Sequence, residues 1–244
     1  MSSGHYQKLL TDTLAGKKKF AVLLDPDKCQ PDFLSKVVEL SDASRVDYFF
    51  IGGSLVMNDR QAQMIKYIRQ HTKIPLMLFP GNNLQLNDEA DGILLLSLIS
   101  GRNAEMLIGR HVISAPFLRA SKLEIISTGY MLVDSGAMTT VAYMSNTTPI
   151  PSDKNEIAVC TALAGEMLGM KVIYMDAGSG AKHPIPLSMI RDVKDAIQTP
   201  LIIGGGIVSP DHARAVFLAG ADVVVVGNAI EGNPTLITEF AAMR

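Results

Sequence analysis

Two glycine-ended runs, PLIIGGGI at 200–207 and DVVVVGNAI at 222–230, lie one helix length apart and carry residue types that can hold a phosphate. Gly204, Gly205, Gly206 and Gly227 offer backbone N–H groups with no Cβ to keep an anion at a distance, and Asn228 follows the last of them. Ser209-Pro210-Asp211 then opens a helix whose positive end adds to the attraction. Phosphate seats after the seventh and eighth strands recur in eight-stranded β/α barrels. Each run alone reads equally well as a tight turn or a helix entry; the two together, at this separation, favour the phosphate.

Two further constellations bring carboxylates. Asp25-Pro26-Asp27-Lys28 ends an apolar run, and the two-residue strand period puts Asp25 on the face of Ala21 and Leu23. With the hydroxyl of Ser54, from IGGS at 51–54, it makes an oxygen-donor pair suited to Mg²⁺, which keeps several waters and completes its shell with substrate phosphate. Asp-Pro-Asp is also a good turn and helix-start sequence. In YMDAGSGA at 174–181, Tyr174 and Asp176 face one side with Asp176 nearer the strand end. A carboxylate there can take the proton of a substrate hydroxyl, and the Gly178-Ser179-Gly180 turn adds donors to the phosphate seat. The catalytic candidates are therefore Asp176, as base, and Tyr174 beside it; the same Asp could simply shape a turn.

These groups need elements to position them. Buried, β-branched-rich runs place strands near 20–25, 47–52, 75–79, 92–97, 125–133, 171–176, 200–204 and 222–227. Helical periodicity places helices at about 5–15, 31–43, 60–71, 103–118, 155–169, 186–197, 209–219 and 234–243. Such alternation predicts an α/β protein, a (β/α)₈ TIM barrel, and 244 residues without a linker predict a single domain over 1–244. PGNNLQLNDEADG, between the third and fourth strands, is too short for a helix and two loops, so the third outer helix should be missing or vestigial. The long stretch 133–154 carries a hairpin signal, Asp134-Ser135-Gly136, and a strand-like run, MTTVAYM; it reads as a lid or substrate clamp, or as an ordinary hairpin.

A missing outer helix would open the flank of the barrel and expose an apolar floor. Segments 93–99 and 106–118, in a chain with 13 Met, could line a site for a long apolar group, or could simply be core. With 19% charged residues and a net charge of -2 there is no electrostatic case for nucleic acid. Cys29 and Cys160 are too few for a disulfide framework or zinc site and suit a cytoplasmic protein. ILLLSLI at 93–99 is far short of the roughly 20 residues that cross a bilayer, which leaves peripheral membrane contact as the expected limit.

Two anion sites, one metal-assisted and one made of backbone, with a base between them and an apolar flank, fit the alkylation of a phosphorylated alcohol by a prenyl diphosphate. LLDPDK, IGGS, EIISTGYMLVD, SNTTPIP, YMDAGSGA, IIGGGI and VVVGNAI, in this order, resemble the geranylgeranylglyceryl phosphate synthase family over almost the whole chain. The resemblance implies transfer of a geranylgeranyl group from its diphosphate to the sn-3 hydroxyl of sn-glycerol 1-phosphate, in a modified barrel without a normal third helix. It also implies a homo-oligomer, dimer or hexamer, with Mg²⁺ held at Asp25 and Ser54. The glycerol-phosphate site would comprise Tyr174, Met175, Asp176 and Ala177 with the Gly178-Ser179-Gly180 turn; Gly204, Gly205 and Gly206; and Gly227 with Asn228. The chain departs from many relatives in having Asp176 for Glu, and from some in lacking Trp. The alternatives are a heptaprenylglyceryl phosphate synthase, a sugar-phosphate aldolase or isomerase barrel, and a phosphate-binding barrel without catalysis.

Overall fold

The structure, a computed structural model, describes residues 4–57, 60–82 and 85–244. Eight parallel strands close into a barrel in sequence order: β1 Lys19–Leu24, β2 Tyr48–Ile51, β3 Leu76–Leu78, β4 Gly92–Leu98, β5 Glu124–Leu132, β6 Val172–Asp176, β7 Leu201–Gly204 and β8 Val223–Val226. All lie within a residue of their expected bounds at each end. Alternate residues face the axis, so Ala21, Phe50, Met77, Tyr130, Tyr174 and Val225 fill the interior. Their neighbours Val22, Ile51, Leu78, Met131, Met175 and Val224 pack under the helices. Burial on both faces is what removes polar alternation from these strands.

The outer layer comprises α2 Pro31–Ala43 and α3 Gln61–His71, α4 Arg110–Ala120 preceded by a π-helical turn at Glu105–Gly109, α6 Asn155–Met167, α7 Leu187–Ala196, α8 Pro210–Leu218 and α10 Leu236–Ala241, with α1 at His5–Leu14, α5 at Thr140–Ser145 and α9 at Asn228–Gly232. Ser209 caps α8 by accepting the His212 N–H at 3.3 Å, with Pro210 in the first turn. No helix separates β3 from β4 among the described residues; Asn83 and Leu84 of that stretch lie outside them. Gln85 takes over part of the missing helix's work. Its buried amide donates to the Gly53 carbonyl at 2.9 Å and accepts from the N–H groups of Gly53 and Gly81, both at 3.3 Å, pinning the loop to the end of β2.

The stretch after β5 differs from its expected form. MTTVAYM is not a strand: Thr139 caps a short helix, α5, by accepting the Ala142 N–H at 3.4 Å, and Asn146 ends it in the left-handed conformation, φ 50°. β-branched Thr and Val favour extended backbone only where a strand edge is available to pair with. The pairing that does form is a single parallel bridge, Val133 with Ile150. Asp134-Ser135-Gly136 does turn, the Asp134 carboxylate accepting the Gly136 N–H at 3.0 Å, but it joins no hairpin.

At the N-terminal ends of the strands, α1 closes the barrel. Tyr6 and Leu9 pack onto the interior cluster, and Asp12 pairs with Lys19 at 2.9 Å. Glu124, at the start of β5, accepts the first N–H groups of α1, from His5 at 2.5 Å and Tyr6 at 3.1 Å. A carboxylate at that end satisfies orphan donors and the helix dipole together. Glu124→Ala should therefore cost about 1–2 kcal/mol of stability and speed amide exchange in α1. Turnover should be unchanged, since the reacting end is opposite; equal denaturation midpoints for the two proteins would remove Glu124 from this role.

Candidate active site

The floor of the barrel's C-terminal mouth is aromatic. Phe79 stacks on Tyr174 with centroids 5.0 Å apart, and Tyr130 meets Tyr174 at 5.6 Å and Phe79 at 6.0 Å. Room for this cluster comes from glycine on the inward face. A Cβ on Gly204 would stand 2.4 Å from the Tyr174 hydroxyl, and one on Gly52, at φ 154°, would run into the Phe79 carbonyl.

Above the floor stands Asp176, 8% exposed. The strand register brings Leu132 and Gly204 level with it on either side. The Tyr130 hydroxyl donates to its Oδ2 and the Gly178 N–H to its Oδ1, both at 2.7 Å. Burial pushes the carboxyl above the usual carboxylate range, against the pull of these two hydrogen bonds. The Tyr130 phenol is driven up by burial and by the charge of Asp176, so it stays protonated as a donor. A carboxylate so placed holds a lone pair in a dry site and can accept a hydroxyl proton. Tyr130 is a functional residue that the motifs do not single out, although EIISTGYMLVD puts Thr128 and Tyr130 on the inward parity of its strand.

Around Asp176 runs a cavity that gathers most of the expected residues. Gly178 and Gly180 turn with φ of 84° and 79°, and Gly205 and Gly206 with φ of 77° and 68°, conformations that glycine adopts without strain. A Cβ on Gly205 would lie 2.5 Å from Asp176 Oδ1 and 2.7 Å from the N–H nitrogens of Ala177 and Gly178, so glycine there also lets two loops meet. Ser179 donates to the Asn228 side chain at 3.2 Å, joining the β6 and β8 loops over the same space, where Gly227 leads into α9. Tyr174, Gly178, Ser179, Gly180, Gly205, Gly206, Gly227 and Asn228 line this cavity. Met175 and Ala177 do not. Strand alternation turns both side chains outward into the layer under the helices, and Ala177 reaches the site only through backbone, its N–H meeting the Gly204 carbonyl at 3.2 Å. Gly204 faces Tyr174 rather than the cavity.

Asp25 and Ser54 line the opposite wall. Burial raises the Asp25 carboxyl, opposed by the Asp27 N–H, which donates to Oδ1 at 3.0 Å, and by the Lys28 ammonium 3.9 Å from Oδ2. Lys28 is committed mainly to Glu231, at 2.8 Å. Among the described residues no three His, Cys, Asp or Glu side chains come together as a metal cage. The donors on this wall are one carboxylate and one hydroxyl, a set that suits a hard cation keeping water and phosphate ligands.

A second cavity opens on the flank that the missing helix leaves bare. Its walls are Leu86, Ile93, Leu95, Leu96, Leu98 and Met106, with Val141 and Met144 of α5 above. It shares Gly53, Ser54, Phe79 and Tyr130 with the first. A polar pocket and an apolar groove thus meet at Ser54 and Tyr130.

The PcrB family model matches residues 14–244. Relatives named geranylgeranylglyceryl phosphate synthase include one from Spirosoma linguale, 52% identical over 230 residues that cover 94% of this chain and 92% of that one. Another, from Chitinophaga pinensis, is 52% identical over 236 residues, covering 97% and 94%. Among solved structures, the (S)-3-O-geranylgeranylglyceryl phosphate synthase of Thermoplasma acidophilum in complex with sn-glycerol-1-phosphate superposes with a TM-score of 0.92 at 30% identity, covering 98% of each chain.

If Asp176 is the group that must be ionised, removing the Tyr130 hydroxyl takes away a bond that favours its charged form. Tyr130→Phe should move the acid limb of the pH profile of kcat/KM to higher pH. The measurement is the rate profile of both proteins with the same substrates; a limb that stays in place or moves down would detach Tyr130 from Asp176's ionisation.

Proposed function

We propose a function from one premise, that the chain belongs to the PcrB family: it joins the geranylgeranyl group of geranylgeranyl diphosphate to the sn-3 hydroxyl of sn-glycerol 1-phosphate, releasing diphosphate. The observation that carries this reading is the junction of the two cavities at Ser54, Phe79 and Tyr130, beside the buried carboxylate of Asp176. The polar pocket has donors for a glycerol phosphate, with backbone N–H groups near Gly205, Gly206 and Gly227 for the phosphate. The apolar groove fits a long hydrocarbon that must stay away from water.

Placed so, the two substrates meet with the glycerol hydroxyl beside Asp176 and the allylic carbon at the groove's inner end. A bond forms between the hydroxyl oxygen and that carbon as the bond to the diphosphate oxygen breaks, its electron pair leaving with the diphosphate. Asp176 takes the hydroxyl proton. Burial that raises its carboxyl makes it a stronger proton acceptor than an exposed Asp, and Tyr130 fixes its orientation. Asp25 and Ser54 would hold Mg²⁺, which supplies charge for the departing diphosphate. Tyr174 takes the role of floor and spacer, its hydroxyl filling the space left by Gly204.

No strand ends in Lys, which disfavours a Schiff-base aldolase. The experiment is incubation with labelled sn-glycerol 1-phosphate and prenyl diphosphates from C15 to C35, each with Mg²⁺ or with excess EDTA. The expected result is label extracted into organic solvent, greatest with the C20 substrate and lost in EDTA. A C35 preference would indicate the heptaprenyl alternative. No extractable label with any substrate would overturn prenyl transfer, and full activity in EDTA would overturn the metal.

A further inference from the structure

Arg110 brings a positive charge to the wall of the apolar groove. It is the first residue of α4 after the π-helical turn, and it lines the apolar groove. A π turn takes one more residue per turn than an α-helix and so re-aims the side chains beyond it. Arg110 Nη1 reaches across the mouth of the groove and donates to the Gly81 carbonyl at 3.1 Å. Among the described residues no carboxylate lies within ion-pair distance of it. Glu105, one turn earlier, folds back over Gly109 instead.

The place where the guanidinium is anchored matters. Gly81 packs on the end of β2 so closely that a Cβ there would stand 2.4 Å from the Gly53 carbonyl oxygen and 2.9 Å from Ser54 Cα. Gln85 holds both glycines in that contact. Arg110 is therefore tied to the residue that touches Ser54, at the junction of the two cavities and across from Asp25. A half-buried cation in a mostly hydrocarbon wall, with one backbone oxygen as partner, is left short of negative charge. Among the described residues its one hydrogen bond is to that carbonyl, which leaves N–H donors for a planar, two-pronged contact with phosphate oxygens.

We propose that Arg110 binds the diphosphate of the prenyl substrate from the groove side and stabilises it as it leaves. This rests on the prenyl-transfer reading, in which the diphosphate is the one anion that arrives through the groove. Asp25 and Ser54 then serve one side of the diphosphate and Arg110 the other. A purely structural latch between α4 and the Gly81 loop is the competing role, and it predicts different losses.

The probe is inorganic pyrophosphate with Mg²⁺, titrated calorimetrically into the full chain, with sn-glycerol 1-phosphate titrated in parallel. Arg110→Gln should weaken pyrophosphate binding roughly ten- to a hundredfold, as expected for a lost charge-assisted contact, while glycerol-phosphate binding stays within about twofold. Arg110→Lys, which keeps the charge without the fork, should recover part of the loss, and Arg119→Gln, exposed on the same helix, should change neither. In turnover, KM for the prenyl diphosphate should rise in Arg110→Gln and KM for glycerol phosphate should not. Pyrophosphate binding unchanged in Arg110→Gln, or equal losses for both ligands, would overturn the proposal. Arg110-dependent pyrophosphate binding in a protein that makes no prenyl ether would support this site and sink the prenyl-transfer reading alone.

Discussion

In a closed parallel barrel every second residue of each strand must face the axis, and this rule decides what can stand at the mouth. Here the inward positions toward the strand ends read Asp25, Gly52, Phe79, Leu98, Tyr130 followed by Leu132, Asp176, Gly204 and Gly227. Two are carboxylates, three have no side chain and the rest are aromatic or leucine. The aromatic rings seal the interior beneath the carboxylates, and Gly52 and Gly204 leave room for the rings themselves. Shifting any one strand by a residue would turn its contribution into the helix layer and replace it with an apolar side chain.

The second constraint is the uncovered flank. A strand pair in this fold normally buries its outer face under a helix, and between β3 and β4 the chain spends its residues on a loop instead. The outer faces of Ile93 and Leu95 then belong to a groove. Such a surface is unfavourable in water unless an apolar group covers it. Gln85 keeps the loop from collapsing into the gap, and α5 roofs the inner end; Thr139 packs on Gly178 while Val141 and Met144 face the groove. The short helix therefore lines the groove and, through its cap, contacts a loop that lines the polar pocket.

Much of this was legible in the sequence because it depends on local rules. Buried β-branched runs marked the strands, parity put Asp25 and Asp176 inward, and counting residues from Pro80 to Gly92 left no room for a helix. The parts that were not legible depend on partners far along the chain. The Tyr130 hydroxyl finds Asp176 across 46 positions, and Gln85 finds Gly53 across 32. Arg110 looks like an ordinary polar helix residue until the π turn and the Gly81 carbonyl fix where it points. MTTVAYM misled through propensity, since Thr and Val favour strands while the cap at Thr139 and the absence of a pairing edge make a helix. Met175 and Ala177 lie within a motif whose backbone serves the site while their side chains serve the core.

In the proposed reaction one buried carboxylate, Asp176, performs the proton transfer. Tyr130 and the Gly178 N–H hold Asp176 at fixed orientation, and burial raises its affinity for a proton. The most direct measurement is single-turnover prenyl transfer by Asp176→Asn with both substrates saturating, so that binding drops out and only the chemical step is compared. Asn keeps the size of the side chain and cannot take the proton, so the rate should fall by roughly 10²–10⁴-fold. A rate within a few-fold of the unmodified protein would contradict the account, leaving Asp176 as a turn residue and the proton to water or another group.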